Sequence, residues 1–284
     1  RCRVIGVVTS STREVLRAPA RRSGRNDPVE KSQMTPEEKF RTESDAEIQE
    51  QGADPGFRRL TGEWMDRSLS TKYSYHFTWL GRPVIQYPQD LVAMQEIIHS
   101  VQPDLIIETG IAHGGSLIFY ASLLELNTLC GGPEQSSVIG IDIDIRAHNR
   151  AAIEAHPMSR RITMIEGSST DPRIVAEVGR LAGRHDRILV CLDSNHSHDH
   201  VMAELEAYAP MVSADSYCVV FDTIIEELTD EYLASTNRPW RAGDSPGSAV
   251  EEFLRTHTEF EPDTSVTDKL MITVASGGYL KKVV

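Results

Sequence analysis

A glycine-rich turn with a carboxylate before it is the part of this sequence best suited to hold a small charged ligand. The turn contains one acid, three glycines and a serine, namely Glu108, Gly110, Gly114, Gly115 and Ser116. An apolar run precedes it, and an apolar segment compatible with a helix follows it. A buried strand that leads through a tight loop into a helix N-terminus commonly binds nucleotide-like ligands in α/β proteins. The turn therefore predicts a site of this kind.

The spacing of the turn argues against two common phosphate-binding motifs. It lacks the G-x-G-x-x-G pattern of dinucleotide sites, and it also lacks the lysine of a P-loop. An acid beside the glycines suits a cofactor with an ammonium group better than one with a phosphate. S-adenosylmethionine (SAM) meets this requirement, and we predict that SAM is the cofactor.

Further acids and serines follow the later apolar runs. Asp142, Asp193 and Asp222 each end such a run, and Ser168 and Ser169 follow another. Parallel strands bring their carboxyl ends to one edge of a sheet, where ligands bind. We therefore expect these side chains to lie around the glycine-rich turn, with both serines as cofactor contacts. Asp142 ends the second strand, where it is well placed to accept hydrogen bonds from the two ribose hydroxyls of the cofactor.

The elements that must position these residues alternate between strand and helix. Five buried strand-like runs, near residues 105–108, 138–142, 161–166, 187–193 and 216–222, are separated by helical segments. This alternation predicts an α/β fold in which helices cover both faces of a mostly parallel sheet. Two more strand-like runs, near Phe260 and over residues 270–274, end the chain.

Three segments of different composition precede or form this core. Residues 1–33 carry eight Lys and Arg against three Asp and Glu and show no periodicity, which predicts a disordered basic extension. Residues 34–88 predict an N-terminal cap of one or two helices and an aromatic loop. Residues 89–284 are the predicted catalytic domain, with a lid insertion near 224–247.

Aromatic side chains in the loop and in the lid are candidate substrate contacts. Tyr75, His76 and Trp79 belong to the loop, and Trp240 belongs to the lid. Aromatic rings cover apolar or sugar faces while their polar atoms form hydrogen bonds. The loop residues could equally anchor the cap on the core, so both interpretations stay open.

Charge and hydropathy limit the partners of the chain. The net charge is −13, and residues after 33 hold 21 basic and 39 acidic side chains, a balance of −18. An acidic body argues against nucleic acid as a partner. We find no apolar run near the ~20 residues of a membrane-spanning helix and no secretory leader. The four cysteines form no CxxC pair, so free thiols in a reducing cytoplasm are expected.

Four segments, residues 107–117, 138–144, 189–196 and 217–222, together carry a resemblance to a known family. They resemble SAM-dependent methyltransferases of the cephalosporin-hydroxylase type, which include rhamnosyl and other sugar O-methyltransferases. The resemblance covers roughly residues 75–275. It implies a class I methyltransferase (Rossmann-like) fold with a seven-stranded sheet and an antiparallel last strand. It also implies Mg²⁺-dependent methyl transfer to a sugar hydroxyl, and a homodimer or higher homo-oligomer.

The same resemblance suggests roles for the acids and for one histidine. Asp193 and Asp222 match two metal-binding positions of the family, and His196 resembles the histidine that acts as general base in related sugar methyltransferases. The family usually has a third acid beside the position of Asp222, where this chain has Phe221. Chelation by Mg²⁺ lowers the pKa of a sugar hydroxyl, so that His196 can remove its proton. Asp193 and His196 are therefore the expected catalytic residues.

Other functions are weaker interpretations of the same residues. A nicotinamide-dependent oxidoreductase is favoured only by the general architecture, and a non-catalytic SAM-fold scaffold is disfavoured by the intact acid and histidine set. The cluster His196, His198 and His200 suggests a zinc hydrolase, but helical phase would scatter these side chains over different faces. His198 and His200 are therefore expected to be ordinary surface residues. His113 in the turn could contact a ligand or stabilise the loop.

Overall fold

A computed structural model describes residues 34–236 and 238–284 of the chain. The described residues up to Arg41 belong to one unit of the chain, and residues 42–284 form another. In the first unit, the N–H of Thr35 donates to the Glu38 carboxylate at 2.7 Å, and the N–H of Glu38 donates to the Thr35 hydroxyl at 3.1 Å. This capping box starts helix α1 (Pro36–Ala53). The predicted basic extension, residues 1–33, lies outside the described residues.

Helix α2 and a short hairpin precede the main sheet. Helix α2 (Pro55–Ser70) is capped at its N-terminus by Asp54, whose side chain accepts hydrogen bonds from two backbone N–H groups of the first turn. The aromatic loop then folds into strands β1 (Phe77–Trp79) and β2 (Arg82–Val84), which pair antiparallel. Leu80 and Gly81 between them have positive φ values of 45° and 86°, as a two-residue hairpin turn requires. The sequence did not predict this hairpin.

The main sheet has seven strands in the order β5-β4-β3-β6-β7-β9-β8. These strands are β3 (Leu105–Thr109), β4 (Ser137–Asp142), β5 (Ile162–Glu166), β6 (Ile188–Leu192), β7 (Tyr217–Val220), β8 (Phe260–Pro262) and β9 (Tyr279–Lys282). Strands β3 to β7 pair in parallel, and β9 is antiparallel to β7 and β8. The predicted mostly parallel sheet with an antiparallel last strand is confirmed. The strand order reverses between β3 and β6, which is where such sheets bind ligands.

Helices cover both faces of the sheet, as the alternating pattern predicts. They are α3 (Pro88–Val101), α4 (Gly115–Leu129), α5 (Ala147–Glu154), α6 (Pro172–Ala182), α7 (His198–Tyr208), α8 (Asp230–Ser235), α9 (Pro246–Phe253) and α10 (Thr264–Leu270). Along β3, Ile106 joins one hydrophobic cluster, whereas Leu105 and Ile107 join the cluster on the opposite face. All three side chains are fully buried, which explains why this strand is a continuous apolar run.

The predicted strand over residues 270–274 is wrong. Helix α10 ends at Leu270, and the last strand begins only at Tyr279. The apolar residues between them lie in a buried loop tied to helix α3, because Asp90 accepts hydrogen bonds from the Thr273 hydroxyl and from the N–H of Val274, the latter at 3.1 Å. A buried carboxylate thus satisfies the polar groups that a strand ladder would otherwise have satisfied.

Three described cysteines are free thiols, as expected. Cys191 in β6 and Cys218 in β7 are buried, and Cys130 is exposed. Among the described residues, no helix has both the length and the hydropathy needed to cross a membrane.

Candidate active site

The glycine-rich turn connects β3 to α4 and packs tightly against its neighbours. Gly110 has a φ of 90°, and a Cβ atom there would lie 2.0 Å from the carbonyl oxygen of Asp193. At Gly115 a Cβ would lie 2.1 Å from the carbonyl oxygen of Pro83, on β2. At Gly114, which has a φ of 79°, a Cβ would come 2.3 Å from the side chain of Ile153. The glycines therefore allow the turn to lie directly against β2, β6 and α5.

Asp142 holds the turn from the neighbouring strand β4. Its Oδ2 accepts hydrogen bonds from the N–H groups of Ile111 at 2.8 Å and Ala112 at 3.2 Å, and its Oδ1 accepts one from Asp144 at 3.0 Å. The predicted ribose acceptor is thus already bonded to the backbone of the turn. Each carboxylate oxygen has more than one acceptor position, so binding to a ribose stays a prediction.

Arg82 and Asn149 hold the same turn from two other elements. The Arg82 guanidinium on β2 donates to the carbonyl oxygen of His113, with Nε at 3.2 Å, and to the Asn149 Oδ1 at 3.1 Å. The Asn149 amide on α5 donates to the carbonyl oxygen of Ala112 at 2.8 Å. Sequence reasoning missed both residues, because nothing in their local pattern marks them.

Glu108 is a fully buried acid at the end of β3. Its Oε2 accepts a hydrogen bond from the Ser116 hydroxyl at 2.9 Å, and its Oε1 has no partner among the described residues. Burial raises the pKa of this carboxyl to about 8, although the Ser116 hydrogen bond opposes the shift. A buried acceptor of this kind fits the ammonium group of SAM, because a cation would restore the charged form.

Asp193, His196 and Asp222 form a cluster at the carboxyl ends of β6 and β7. One ligand atom from each residue lies within 4.8 Å of the other two, and His196 Nε2 is 3.2 Å from Asp222 Oδ2. Burial raises the pKa of the Asp193 carboxyl well above its usual value, and the nearby charge of Asp222 raises it further. Two carboxylates and an imidazole are donors that suit a divalent cation, whose charge would offset this repulsion.

Phe221, where the family resemblance implies an acid, contributes an apolar ring to the cluster. It is 2% exposed and lines the cavity described next, and its N–H donates to the carbonyl oxygen of Leu192 at 3.0 Å. A cation here would therefore meet two carboxylates instead of three.

A cavity of about 650 Å³ lies between the turn and the cluster. Gly110, Gly115, Ser116, Asp142, Asp193, His196 and Asp222 line it, as do His113, Tyr75 and Trp240. Helix α8 and the segments on either side of it, which belong to the predicted lid, contribute Ile225, Leu228, Tyr232 and Arg238. The edge of the His196 ring faces Trp240 with 6.2 Å between ring centres. The structure thus brings together most of the residues that the sequence singles out.

Several predicted site residues lie outside the cavity lining. The Trp79 indole N–H donates to the Ser122 hydroxyl at 2.9 Å, and its ring packs edge-on against Phe119. For Trp79 the anchoring interpretation therefore fits the structure better. His76 is exposed, and its ring centre lies 6.5 Å from that of Tyr73. Among the predicted cofactor contacts, Glu108, Gly114, Ser168 and Ser169 do not line the cavity either. The Ser168 hydroxyl contacts Thr170 at 3.0 Å, and the Ser169 hydroxyl contacts His200 Nε2 at 3.2 Å.

The expectation that His198 and His200 are ordinary surface residues is wrong. His198 Nδ1 lies 2.9 Å from the Ser248 hydroxyl on α9. His200 Nε2 contacts the hydroxyl of Ser194 at 3.1 Å and the fully buried Glu204 at 3.4 Å. Both rings are partly covered because α7 packs beside α9 and under the loop after β6. The helical phase does separate them from His196, and only Asp193, His196 and Asp222 form a possible metal cluster among the described residues.

The fold and the site define a class I methyltransferase. A family model for rhamnosyl O-methyltransferase/CmcI matches residues 71–283. The chain belongs to this family and is a SAM-dependent O-methyltransferase.

Individual relatives agree with this assignment. The rhamnosyl O-methyltransferase of Mycobacterium tuberculosis (strain ATCC 25618 / H37Rv) is 30% identical over 210 residues, which cover 72% of this chain and 77% of the relative. That of Mycobacterium leprae (strain TN) is 30% identical over 205 residues, covering 72% and 82%. A solved structure of CmcI with Mg and SAM is similar in fold, with a TM-score of 0.50 and 18% identity over 74% of this chain and 78% of that chain.

Proposed function

We propose that this protein transfers the methyl group of SAM to a hydroxyl group of a sugar, with Mg²⁺ or a similar divalent cation as a second cofactor. The observation that supports this best is that a single cavity has a candidate cofactor site at one end and a candidate metal site at the other. One end has the glycine-rich turn, and the other has two carboxylates and His196. The relatives named rhamnosyl O-methyltransferase, and the CmcI structure with Mg and SAM, agree with this proposal.

The turn and its neighbouring acids would hold the methyl donor. When bound, SAM supplies an electrophilic methyl group on a sulfonium cation. Ser116 and Asp142 line the cavity, and Asp142 would accept hydrogen bonds from the ribose hydroxyls. Glu108 does not line the cavity, and it would act on the ammonium group through Ser116, whose hydroxyl donates to it. The acidic wall of the cavity tolerates the positive charge of the donor.

The cluster at the other end would activate the acceptor. Asp193 and Asp222 would hold the cation, which lowers the pKa of a bound hydroxyl when present. The His196 tautomer with its proton on Nε2 donates that N–H to Asp222 and keeps Nδ1 available as a base. His196 Nδ1 would thus take the proton of the acceptor hydroxyl, which makes the acceptor oxygen nucleophilic toward the methyl group that SAM would supply.

The remaining wall of the cavity suits a sugar with an apolar substituent. Tyr75, Tyr232 and Trp240 offer ring faces, and Ile225 and Leu228 add apolar surface. Rings of this kind cover the C–H face of a sugar while polar atoms bind its hydroxyls. Rhamnosides and mannosides of glycolipids, polysaccharide precursors or glycosylated natural products are the acceptors to test first. The cytoplasmic location and the homodimer or higher homo-oligomer stay predictions, as do the domain boundary at 88/89 and the role of residues 224–247 as a lid insertion.

A methyl-transfer assay tests this function directly. The protein is incubated with SAM labelled in its methyl group, Mg²⁺ and a panel of rhamnosides and mannosides, and labelled product is measured by chromatography and mass spectrometry. We expect label on a sugar oxygen and loss of transfer in EDTA. Failure of every acceptor, together with no heat on titration with SAM in either the presence or absence of Mg²⁺, contradicts the proposal.

Replacing His196 tests its role as base in the same assay. His196→Ala should lower the methyl-transfer rate by roughly 10²–10⁴-fold, which is typical for loss of a general base, and should preserve SAM binding. His198→Ala is the matched control, since this half-buried histidine of α7 lies outside the cavity lining. A His196→Ala rate equal to that of His198→Ala would remove His196 from the chemical step.

A further inference from the structure

Gln86 is a buried polar side chain in the cavity wall. The residues on both sides of it are held in place by close packing. Gln86 lies between β2 and α3, is 5% exposed and lines the cavity. On one side, the backbone of Pro83 lies against Gly115 so closely that a Cβ there would come to 2.1 Å. On the other side, Tyr87 is fully buried, and its hydroxyl lies 2.8 Å from that of Ser68. The position of the Gln86 backbone is therefore set from both directions.

The two polar atoms of this amide have different partners. Nε2 donates a hydrogen bond to Asp193 Oδ2 at 3.1 Å, and the buried Oε1 has no hydrogen-bond partner among the described residues. The amide nitrogen is the donor of this side chain, so the contact with Asp193 Oδ2 assigns Nε2 to that side and leaves Oε1 to accept from a different group. Buried acceptors without a partner are rare in folded proteins. Oε1 therefore calls for a donor that the described residues do not supply.

We propose that Gln86 is a positioning residue for the cation site. Its N–H fixes the orientation of Asp193, and its Oε1 accepts a hydrogen bond from an O–H group beside Asp193. That group is a water in the free enzyme and a hydroxyl of the acceptor during turnover. This inference rests on the proposed metal-dependent function, and it adds a residue that neither the motifs nor the acid cluster contain.

Packing alone does not account for a glutamine at this place. Val84 and Tyr87 beside it are buried and mostly apolar, so a methionine or leucine would fill the same volume without withdrawing an amide from water. The hydrogen bond to Asp193 explains why an amide is present at this position. Groups that orient metal-binding side chains commonly form this kind of contact.

Titration of the protein with MgCl₂ by calorimetry, in the absence of SAM and acceptor, tests this role. Gln86→Met keeps the size of the side chain and removes the donor to Asp193. We expect the Mg²⁺ affinity to fall by about 10–100-fold, the usual effect of losing such a contact, while SAM affinity in metal-free buffer stays at the wild-type value.

Gln89→Met is the matched control. Gln89 in α3 also has a buried Oε1 without a partner among the described residues, but it does not line the cavity. The Gln89→Met protein should therefore bind Mg²⁺ with the affinity of the wild type. Gln86→Asn serves as a second variant. It shortens the side chain by one methylene and so moves the amide away from Asp193, and it should also bind Mg²⁺ more weakly.

The outcomes separate this inference from the proposed function. Wild-type affinity in Gln86→Met overturns the inference and leaves the metal-dependent function intact. An unfolded Gln86→Met together with a Gln86→Asn protein of wild-type affinity shows that the residue only supports the fold, and this also overturns it. A wild-type protein that binds no Mg²⁺ contradicts the metal-dependent function itself, and the inference fails with it.

Discussion

At the scale of single residues, one buried acid and one buried amide bear most directly on the proposed ligand sites. Glu108 and Gln86 are both more than nine-tenths buried, and each has one oxygen without a partner among the described residues. One is a carboxyl whose pKa lies near 8 and the other is a neutral amide. An acid that ionises on binding suits the ammonium group of SAM, whereas an amide oxygen suits a neutral hydroxyl.

The raised pKa of Glu108 predicts how stability depends on pH in the ligand-free protein. The pKa of this carboxyl rises from 4.5 to about 8 on folding, so between these values the folded state binds more protons than the unfolded state. Stability from the neutral acid is fully present below pH 4.5 and is lost as the pH rises through about 8. The free energy of unfolding of wild type relative to Glu108→Gln should therefore fall with pH, by at most about 1.4 kcal/mol per pH unit.

Urea denaturation at a series of pH values measures this difference. Glu177→Gln changes an exposed glutamate of α6 and is the control. A wild-type minus Glu108→Gln difference that stays constant across this pH range would show that Glu108 is already ionised in the free protein.

At the scale of elements, the shape of the turn between β3 and α4 depends on close packing against three neighbouring elements. Its glycines face the end of β6, the hairpin strand β2 and helix α5. Hydrogen bonds from Arg82 and Asn149 hold its carbonyl groups, and Asp142 accepts from its N–H groups. The turn is thus arranged before any ligand binds, which reduces the ordering cost of binding.

Alanine substitutions distinguish two reasons for a glycine in this protein, a positive φ and the close approach of a neighbouring backbone. Gly110 and Gly81 have similar φ values of 90° and 86°, but a Cβ would meet the Asp193 backbone only at Gly110. Gly81→Ala should therefore cost about 1–2 kcal/mol for the left-handed conformation. Gly110→Ala should cost more and should also abolish SAM binding, because Asp193 and the turn must move apart.

Thermal unfolding and calorimetric titration with SAM measure both effects. Equal losses of stability in the two variants, with SAM binding preserved in Gly110→Ala, would show that the close approach to Asp193 is unimportant.

At the scale of the whole molecule, the strand order determines where along the carboxyl edge of the sheet the ligand cavity lies. The strand order reverses between the parallel neighbours β3 and β6, so the turn after β3 and the acid after β6 lie next to each other. The cap hairpin and the segment around α8 close this edge from either side of the cavity. Cofactor and acceptor can therefore meet in one cavity, although their contacts come from distant parts of the chain.

Ligands that bind only the folded state should stabilise the whole domain. SAM at 100 times its Kd should raise the free energy of unfolding by about 2.7 kcal/mol. NADH at the same concentration should have no effect, because the turn lacks a dinucleotide motif. The thermal midpoint is measured with each ligand, with Asp142→Ala as a variant that should weaken the response to SAM. Stabilisation by NADH and none by SAM would support an oxidoreductase.

The sequence by itself determined the five parallel strands, their order along the chain and the acids that end them. Strands covered on both faces must be apolar throughout, so runs such as residues 105–108 are visible without a structure. The carboxyl ends of parallel strands always meet at one edge, and for that reason the grouping of Asp142, Asp193 and Asp222 could be predicted. Local turn chemistry also marked the glycines.

Only the tertiary structure decided which isolated polar side chains serve the site. Gln86, Arg82 and Asn149 have no local pattern, since their partners lie 31 to 107 residues away along the chain. Trp79 faces Ser122 and not the cavity, and the apolar run 270–274 forms a loop because Asp90 satisfies its polar groups. Periodicity encodes the burial of a residue, whereas contacts between distant elements depend on how these elements pack.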